Sequence, residues 1–188
     1  MKLKLIFMLL LGSKLAFAQQ STQLDLDADG ILDNVTLANI ETGFSLEYKL
    51  STQKNKAFVT KIITSGGTTN GVSASKNVLV LKCQFMRGEN YFKFRYDAKL
   101  KQVKLIGYDN VQYGTANQNG SGTGSLNLAT QTYEGVWNVY DQKQKKLVEL
   151  PKTTKKVATK TYILKNFDDA AIAELDQINY KNLPKQLQ

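Results

Sequence analysis

Aspartates stand at positions 25, 27, 29 and 33 of the chain, with a glycine at 30. Alternating carboxylates followed by a glycine have the spacing of a calcium loop, because a tight turn can aim alternate side chains at one point. Calcium is a hard cation that takes six to eight oxygens, so several carboxylates with a carbonyl and water suit it. With Asp25 as the first ligand position, Asp27 is the third, Asp29 the fifth, the Ile31 carbonyl the seventh and Asp33 the ninth. Gly30 permits the sharp turn after the third ligand. The twelfth position is Thr36 rather than the bidentate glutamate of an EF-hand, and the residues beyond read as a strand. The spacing therefore predicts a Ca2+ site of the non-EF-hand kind, with an affinity on the order of 0.1–1 mM. The alternative is a solvated acidic turn, against which the mutual repulsion of four carboxylates counts. The ion is expected to be structural, since the four carboxylates are committed to ligation and no general base accompanies them.

Other chemistry is narrowed by what the chain lacks. It contains no histidine, which excludes a Ser-His-Asp triad, a Cys-His pair and histidine-ligated zinc. Glu89, Glu134 and Asp141 remain available, but nothing in their spacing pairs them for acid–base work. An enzyme is not expected. The one cysteine, Cys83, falls on the apolar face of a strand pattern with Leu79, Leu81 and Phe85, which predicts a buried thiol rather than a nucleophile.

The first 18 residues read as a secretion signal. Lys2 and Lys4 precede a short apolar run, and Ala16-Phe17-Ala18 offers small residues for cleavage before Gln19. The run is too short to span a membrane, which takes roughly 20 residues. A periplasmic or secreted protein is expected, with one domain over residues 19–188. Without Lys2, Lys4 and Lys14, 22 basic and 16 acidic residues remain, a net charge of +6. Apart from Lys143 to Lys146 and Lys152 to Lys160, the lysines are spread along the chain, so a solvated surface is expected rather than nucleic-acid binding.

The elements that must position these residues are mostly short strands. Val, Ile, Thr, Tyr and Phe concentrate in segments 34–40, 44–51, 57–64, 77–86, 90–96 and 102–108, then 124–129, 132–140, 146–150 and 156–164. Phe92, Phe94 and Tyr96 alternate with Tyr91, Lys93 and Arg95, giving one buried and one wet face. Arg87-Gly88-Glu89 predicts a hairpin turn. Residues 66–75 read as a loop, as do residues 114–124, which lack any large apolar side chain and are expected to be mobile when unbound. Ile172, Leu175 and Ile178 share one face of a helix expected over about 168–178, with acids in its first turn. The predicted fold is all-β, an antiparallel sandwich or flattened barrel of about eight to ten strands with one short C-terminal helix.

A second distinctive string is Leu105-Ile106-Gly107-Tyr108-Asp109, followed by a polar loop and Ser125-Leu126-Asn127-Leu128. With the upstream aspartate run, this order resembles a family of bacterial periplasmic calcium-binding proteins similar to inhibitors of invertebrate-type lysozyme. The family includes immunity proteins against peptidoglycan-hydrolase toxins. The resemblance spans roughly residues 24–178. Ala129-Thr130-Gln131-Thr132 departs from the threonine-glycine that usually follows, and no cysteine stands near the cleavage point to accept a lipid anchor.

The resemblance implies a protein partner, a lysozyme or other peptidoglycan hydrolase. Clefts of that kind are lined by carboxylates, which a protruding loop of hydroxyls and amides could meet. The candidate partner-binding residues are Tyr108, Asp109, Tyr113, Ser121 and Ser125. The competing expectation is a glycan- or ligand-binding β module of the cell envelope, with Tyr91, Tyr133 and Trp137 available to stack on sugar rings. No nucleic acid and no membrane span are expected.

Overall fold

The computed structural model describes residues 19–188; the expected leader lies outside the described residues. Among the described residues, twelve strands form two antiparallel sheets. The smaller holds β1 (Gln19–Leu24), β2 (Asp33–Ile40), β3 (Gly43–Lys49) and β4 (Ala57–Val59), paired in chain order. The larger runs as a meander through β5 (Thr69–Ser75), β6 (Val78–Phe85), β7 (Gly88–Asp97), β8 (Gln102–Gln112), β9 (Gly122–Asn127) and β10 (Thr132–Asp141). Two short strands, β11 (Lys146–Glu149) and β12 (Thr153–Lys156), pair with opposite ends of β10. This is the expected all-β sandwich.

Period-two alternation decides the faces. Leu79, Leu81 and Cys83 of β6, Phe92 and Phe94 of β7, and Val103 and Leu105 of β8 point inward. Val35 and Leu37 of β2 and Phe44, Leu46 and Tyr48 of β3 meet them from the smaller sheet in one core cluster. Burial pushes the Cys83 thiol up to about 12, as suits an inert structural thiol. A β-bulge opposite Lys93 and Phe94 breaks the rhythm of β8: Phe94 faces Leu105 and Lys93 faces Gly107, so Ile106 is the extra residue. Beyond the bulge the inward positions are Tyr108 and Asn110.

The helix, α1 (Asp169–Asn182), lies against β8, β9 and β10. The Asp168 side chain accepts from Ala171 N at 3.2 Å and caps it. Asp169 accepts from the backbone N–H groups of Thr64 and Ser65, each at 2.9 Å, which ties the helix to the loop after β4. Phe167 packs edge-on against Phe92 and Phe94. The helix runs one turn beyond the expected end at 178. It stops at Leu183, which is extended because Pro184 follows.

Three expectations about elements are corrected. Residues 69–75 are not loop but β5, an edge strand masked in sequence by its exposed Thr69, Ser73 and Ser75 and in which Val72 supplies the buried contact. Its Val72 N–H donates to the Gln20 side chain of β1 at 3.0 Å, so the two sheets are stitched there. Segment 156–164 is irregular beyond Lys156, joined to β8 by the bond from Leu105 N to Tyr162 O at 2.9 Å. Residues 114–121 form a closed turn rather than an open loop. Thr115 N bonds Asn119 O at 3.0 Å and Gly120 N bonds Asn138 O at 2.9 Å, while residues 122–124 belong to β9.

Candidate functional site

The loop between β1 and β2 lies at the same end of the smaller sheet as the turn after β3, because Leu24 pairs Asp33 and Asn34 pairs Lys49. In that loop Asp25, Asp27 and Asp29 bring one carboxylate oxygen each within 4.8 Å of the others. Oxygens on opposite sides of a calcium ion stand about 4.6–5.2 Å apart, so the three can share one ion. Ala28 and Gly30 take left-handed backbone angles, φ 63° and 88°, which turn the aspartates inward.

The loop is organised by its own hydrogen bonds. Asp25 accepts from the backbone N–H groups of Asp29 and Gly30, each at 3.0 Å, and Asp29 accepts from Ile31 N at 2.8 Å. From the turn Ser51–Gln53, the Ser51 hydroxyl donates to Asp29 at 2.7 Å and the Thr52 hydroxyl donates to Asp27. The Ser51 bond, with that from Ile31, holds the Asp29 carboxyl below its ordinary range. Ser51 and Thr52 carry no motif signal. Only the lengths of β2 and β3, which return the chain to this end, bring them here.

One oxygen is left over. Oδ1 of Asp27 is buried and has no hydrogen-bond partner. Among the described residues no lysine or arginine forms an ion pair with Asp25, Asp27 or Asp29. A buried orphan carboxylate oxygen within an uncompensated acidic triad fits a hard cation.

Asp33 does different work from that expected of it. It is buried, and both of its oxygens face backbone donors: Leu26 N at 2.9 Å, Asp27 N at 3.3 Å and Ser51 N at 2.8 Å. It stands outside the triad as the brace that ties the loop to the turn. Burial raises its carboxyl above the ordinary range despite these bonds. The Ile31 side chain is exposed.

The partner-binding candidates do not form one surface. Tyr108 is 1 % exposed, and its hydroxyl donates to Asp176 of α1. The bulge turned it inward. Asp109 points the other way, into an ion pair with Lys93, and pairs in register with Ser125 of β9. One row of the outer face runs Lys82, Tyr91, Asp109, Ser125, Glu134 across five strands. A groove of about 710 Å³ crosses this face over Gly107, where the side chain is missing. Tyr113 is exposed just past the end of β8, beside Glu89. Hydrogen bonds from Lys82, Tyr91 and Tyr113 hold the Glu89 carboxyl down at about 2. Ser121 is engaged by the Asn138 side chain at 3.2 Å.

The aromatic platform expected of a glycan module is not assembled. Tyr133 and Trp137 are buried on the inner face, while Tyr91 lies on the outer one. The inner face does hold a cleft of about 880 Å³ between the ends of β7 and β8, the turn at 119–120 and α1. Asn90, Asn110, Gln112, Trp137, Asp176 and Asn179 line it.

No helix among the described residues is long and apolar enough to cross a membrane. No family model matches the chain, and no curated protein or solved structure shows significant similarity to it.

Proposed function

We propose that this protein is an exported, calcium-braced β-domain that acts by binding rather than by turnover, with a lysozyme or other peptidoglycan hydrolase as its partner. The observation that carries the reading is the buried, unpartnered Oδ1 of Asp27 inside the carboxylate triad. It favours a cation site in the N-terminal loop, and that loop ahead of a β-domain is the core of the resemblance to lysozyme inhibitors. Asp25, Asp27 and Asp29, with the Ile31 carbonyl, would hold the ion. Bound calcium would neutralise the three carboxylates and fix the β1–β2 loop, which the Ser51 and Thr52 hydroxyls join to the turn after β3.

The outer face of the larger sheet supports a protein partner. It presents the Asp109–Ser125 pair, Tyr91 and Glu134 on a rigid sheet, with Tyr113 just past the end of β8. Its carboxylates are neutralised by neighbours: Glu89 by Lys82 at 2.7 Å, Asp109 by Lys93, and Glu134 by Lys152 at 2.9 Å. Paired acids of this kind suit recognition better than acid–base catalysis. Tyr108, being buried, is not part of the surface.

The test is a cell-wall lysis assay with purified protein against a panel of lysozymes and peptidoglycan hydrolases, with capture from cell-envelope extract in calcium and in chelator. The reading predicts inhibition or capture of a hydrolase, lost on Asp109→Lys. Neither inhibition nor capture of any hydrolase would contradict it.

A further inference from the structure

Three elements change character together at one end of the inner face. Along β7 the inward side chains run Phe94, Phe92, then Asn90. Along β8 Leu105 and Tyr108 give way to Asn110. On α1, Leu175 is followed by Asp176 and Asn179. Where alternation calls for apolar residues, the chain places amides and a carboxyl, and burying these is costly unless they are satisfied. Glycines make the room. Gly88, Gly124 and Gly135 are buried, and a Cβ on Gly124 would collide with the Asn179 Oδ1 and the Tyr133 hydroxyl.

The polar groups form one directed chain. Trp137 Nε1 donates to the Tyr133 hydroxyl at 3.2 Å, and that hydroxyl donates to Asn179 Oδ1 at 3.2 Å. Asn179 Nδ2 donates to Asn110 Oδ1 at 3.0 Å, and Asn110 Nδ2 donates to Asn90 Oδ1 at 2.7 Å. Asn90 Nδ2 and the Tyr108 hydroxyl both donate to Oδ1 of Asp176. Each carboxamide nitrogen carries two hydrogens and uses one within this chain. Oδ2 of Asp176 accepts nothing from the described residues. Asn90, Asn110 and Asn179 are only 2 %, 6 % and 8 % exposed. Preset donors and one acceptor thus line a cleft that also holds an apolar patch, from Phe85, Leu183 and Leu187, beside further amides at Asn119 and Gln186.

We propose that this cleft is a binding site for a small uncharged saccharide. Hydroxyls can accept from the amide N–H groups and donate to Asp176, while a ring's apolar face lies on the hydrophobic wall. Asp176 and Arg87 are the charged side chains of the lining, and Arg87 Nε donates to the Gly114 carbonyl. The volume falls in the range of small-molecule sites. The usual glycoside hydrolysis machinery pairs two carboxyl groups and the lining side chains offer one, which favours binding over cleavage. It lies on the face opposite Asp109 and Ser125, and does not depend on the hydrolase reading.

Trp137 is the chain's one tryptophan, so its fluorescence reports on the cleft directly. The full protein would be titrated with glucose, N-acetylglucosamine, maltose and diacetylchitobiose, with citrate and lysine as charged controls, and calorimetry run alongside. The expected result is a saturable change with at least one neutral saccharide and none with the controls. Asn110→Ala should weaken it about tenfold, the size of one lost hydrogen bond. Gln112→Ala, at the cleft margin, serves the same purpose should Asn110→Ala not fold. No saturable response to any of the four saccharides, a response only to the charged controls, or a response unaltered in the folded variants would overturn the proposal.

Discussion

Oδ1 of Asp33 accepts a hydrogen bond from the backbone N–H of Ser51 at 2.8 Å, while Oδ2 of the same carboxylate holds Leu26 N and Asp27 N. One buried side chain therefore shapes the acidic loop from inside, and the triad outside it is free to take a cation. The two roles separate experimentally. Asp33→Ala leaves three backbone donors without their partner and should cost about 2–4 kcal/mol in urea unfolding, with calcium or with chelator. Asp27→Asn removes charge from an uncompensated cluster, so it should leave the chelated protein at least as stable while abolishing stabilisation by calcium.

Tyr108 and Tyr113 sit five residues apart and should behave oppositely. Tyr108→Phe deprives the partly buried Asp176 of a donor and should cost about 1.5–3 kcal/mol, the range for a hydrogen bond to a charged group. Tyr113→Phe, at an exposed position past the end of β8, should alter unfolding by less than about 0.5 kcal/mol. Its effect should fall on partner binding. Equal losses of stability in the two variants would contradict the inward turn imposed by the β8 bulge.

Gly124 faces Asn179 across the interface between β9 and α1, with no room for a methyl group. Gly124→Ala should therefore cost about 1–3 kcal/mol through displacement of the helix's last turns, measured by thermal unfolding. Gly30→Ala is the contrasting case: it has space around it, so its cost comes from the left-handed backbone alone and should be smaller, about 1 kcal/mol.

Glu89 gives the acid limb of the stability curve a testable shape. Its carboxyl is held at about 2 in the folded protein against an ordinary value of 4.5, first by Lys82 and then by Tyr91. A depressed carboxyl contributes stability that is present above 4.5 and lost as pH falls toward 2. Unfolding of wild type and Glu89→Gln from pH 7 to pH 2 should show a gap that closes across that window. A gap independent of pH would contradict the assignment.

Much of the fold was legible because alternation survives wherever one face is dry. Leu79, Leu81 and Cys83 are inward as expected, as are Phe92 and Phe94, and Ile172 and Leu175 mark the buried stripe of α1. The aspartate run announced a candidate cation site, and Asp25, Asp27 and Asp29 converge as its spacing implied. What was hidden came from pairing at a distance. The bulge that turns Tyr108 inward is set by register against β7, which no local pattern in β8 reveals. Asp33 looked like a ninth-position ligand because its donors at Ser51 lie eighteen residues away. Strand β5 was read as loop because an edge strand needs few apolar residues, and here Val72 alone is buried. The inner cleft leaves no mark in the sequence, because Asn90, Asn110 and Asn179 look there like ordinary surface amides.

The measurement closest to the central claim is a calcium titration of the purified protein after exhaustive chelation, followed by calorimetry and thermal unfolding. At about 10 mM calcium, an affinity on the order of 0.1–1 mM gives roughly 1.4–2.7 kcal/mol of stabilisation. For a domain of this size that is a rise in Tm of about 3–10 °C. The account predicts saturable binding of one ion, this rise, and the loss of both in Asp27→Asn with the fold intact. An absence of binding heat together with an unchanged Tm in calcium and in chelator would contradict it.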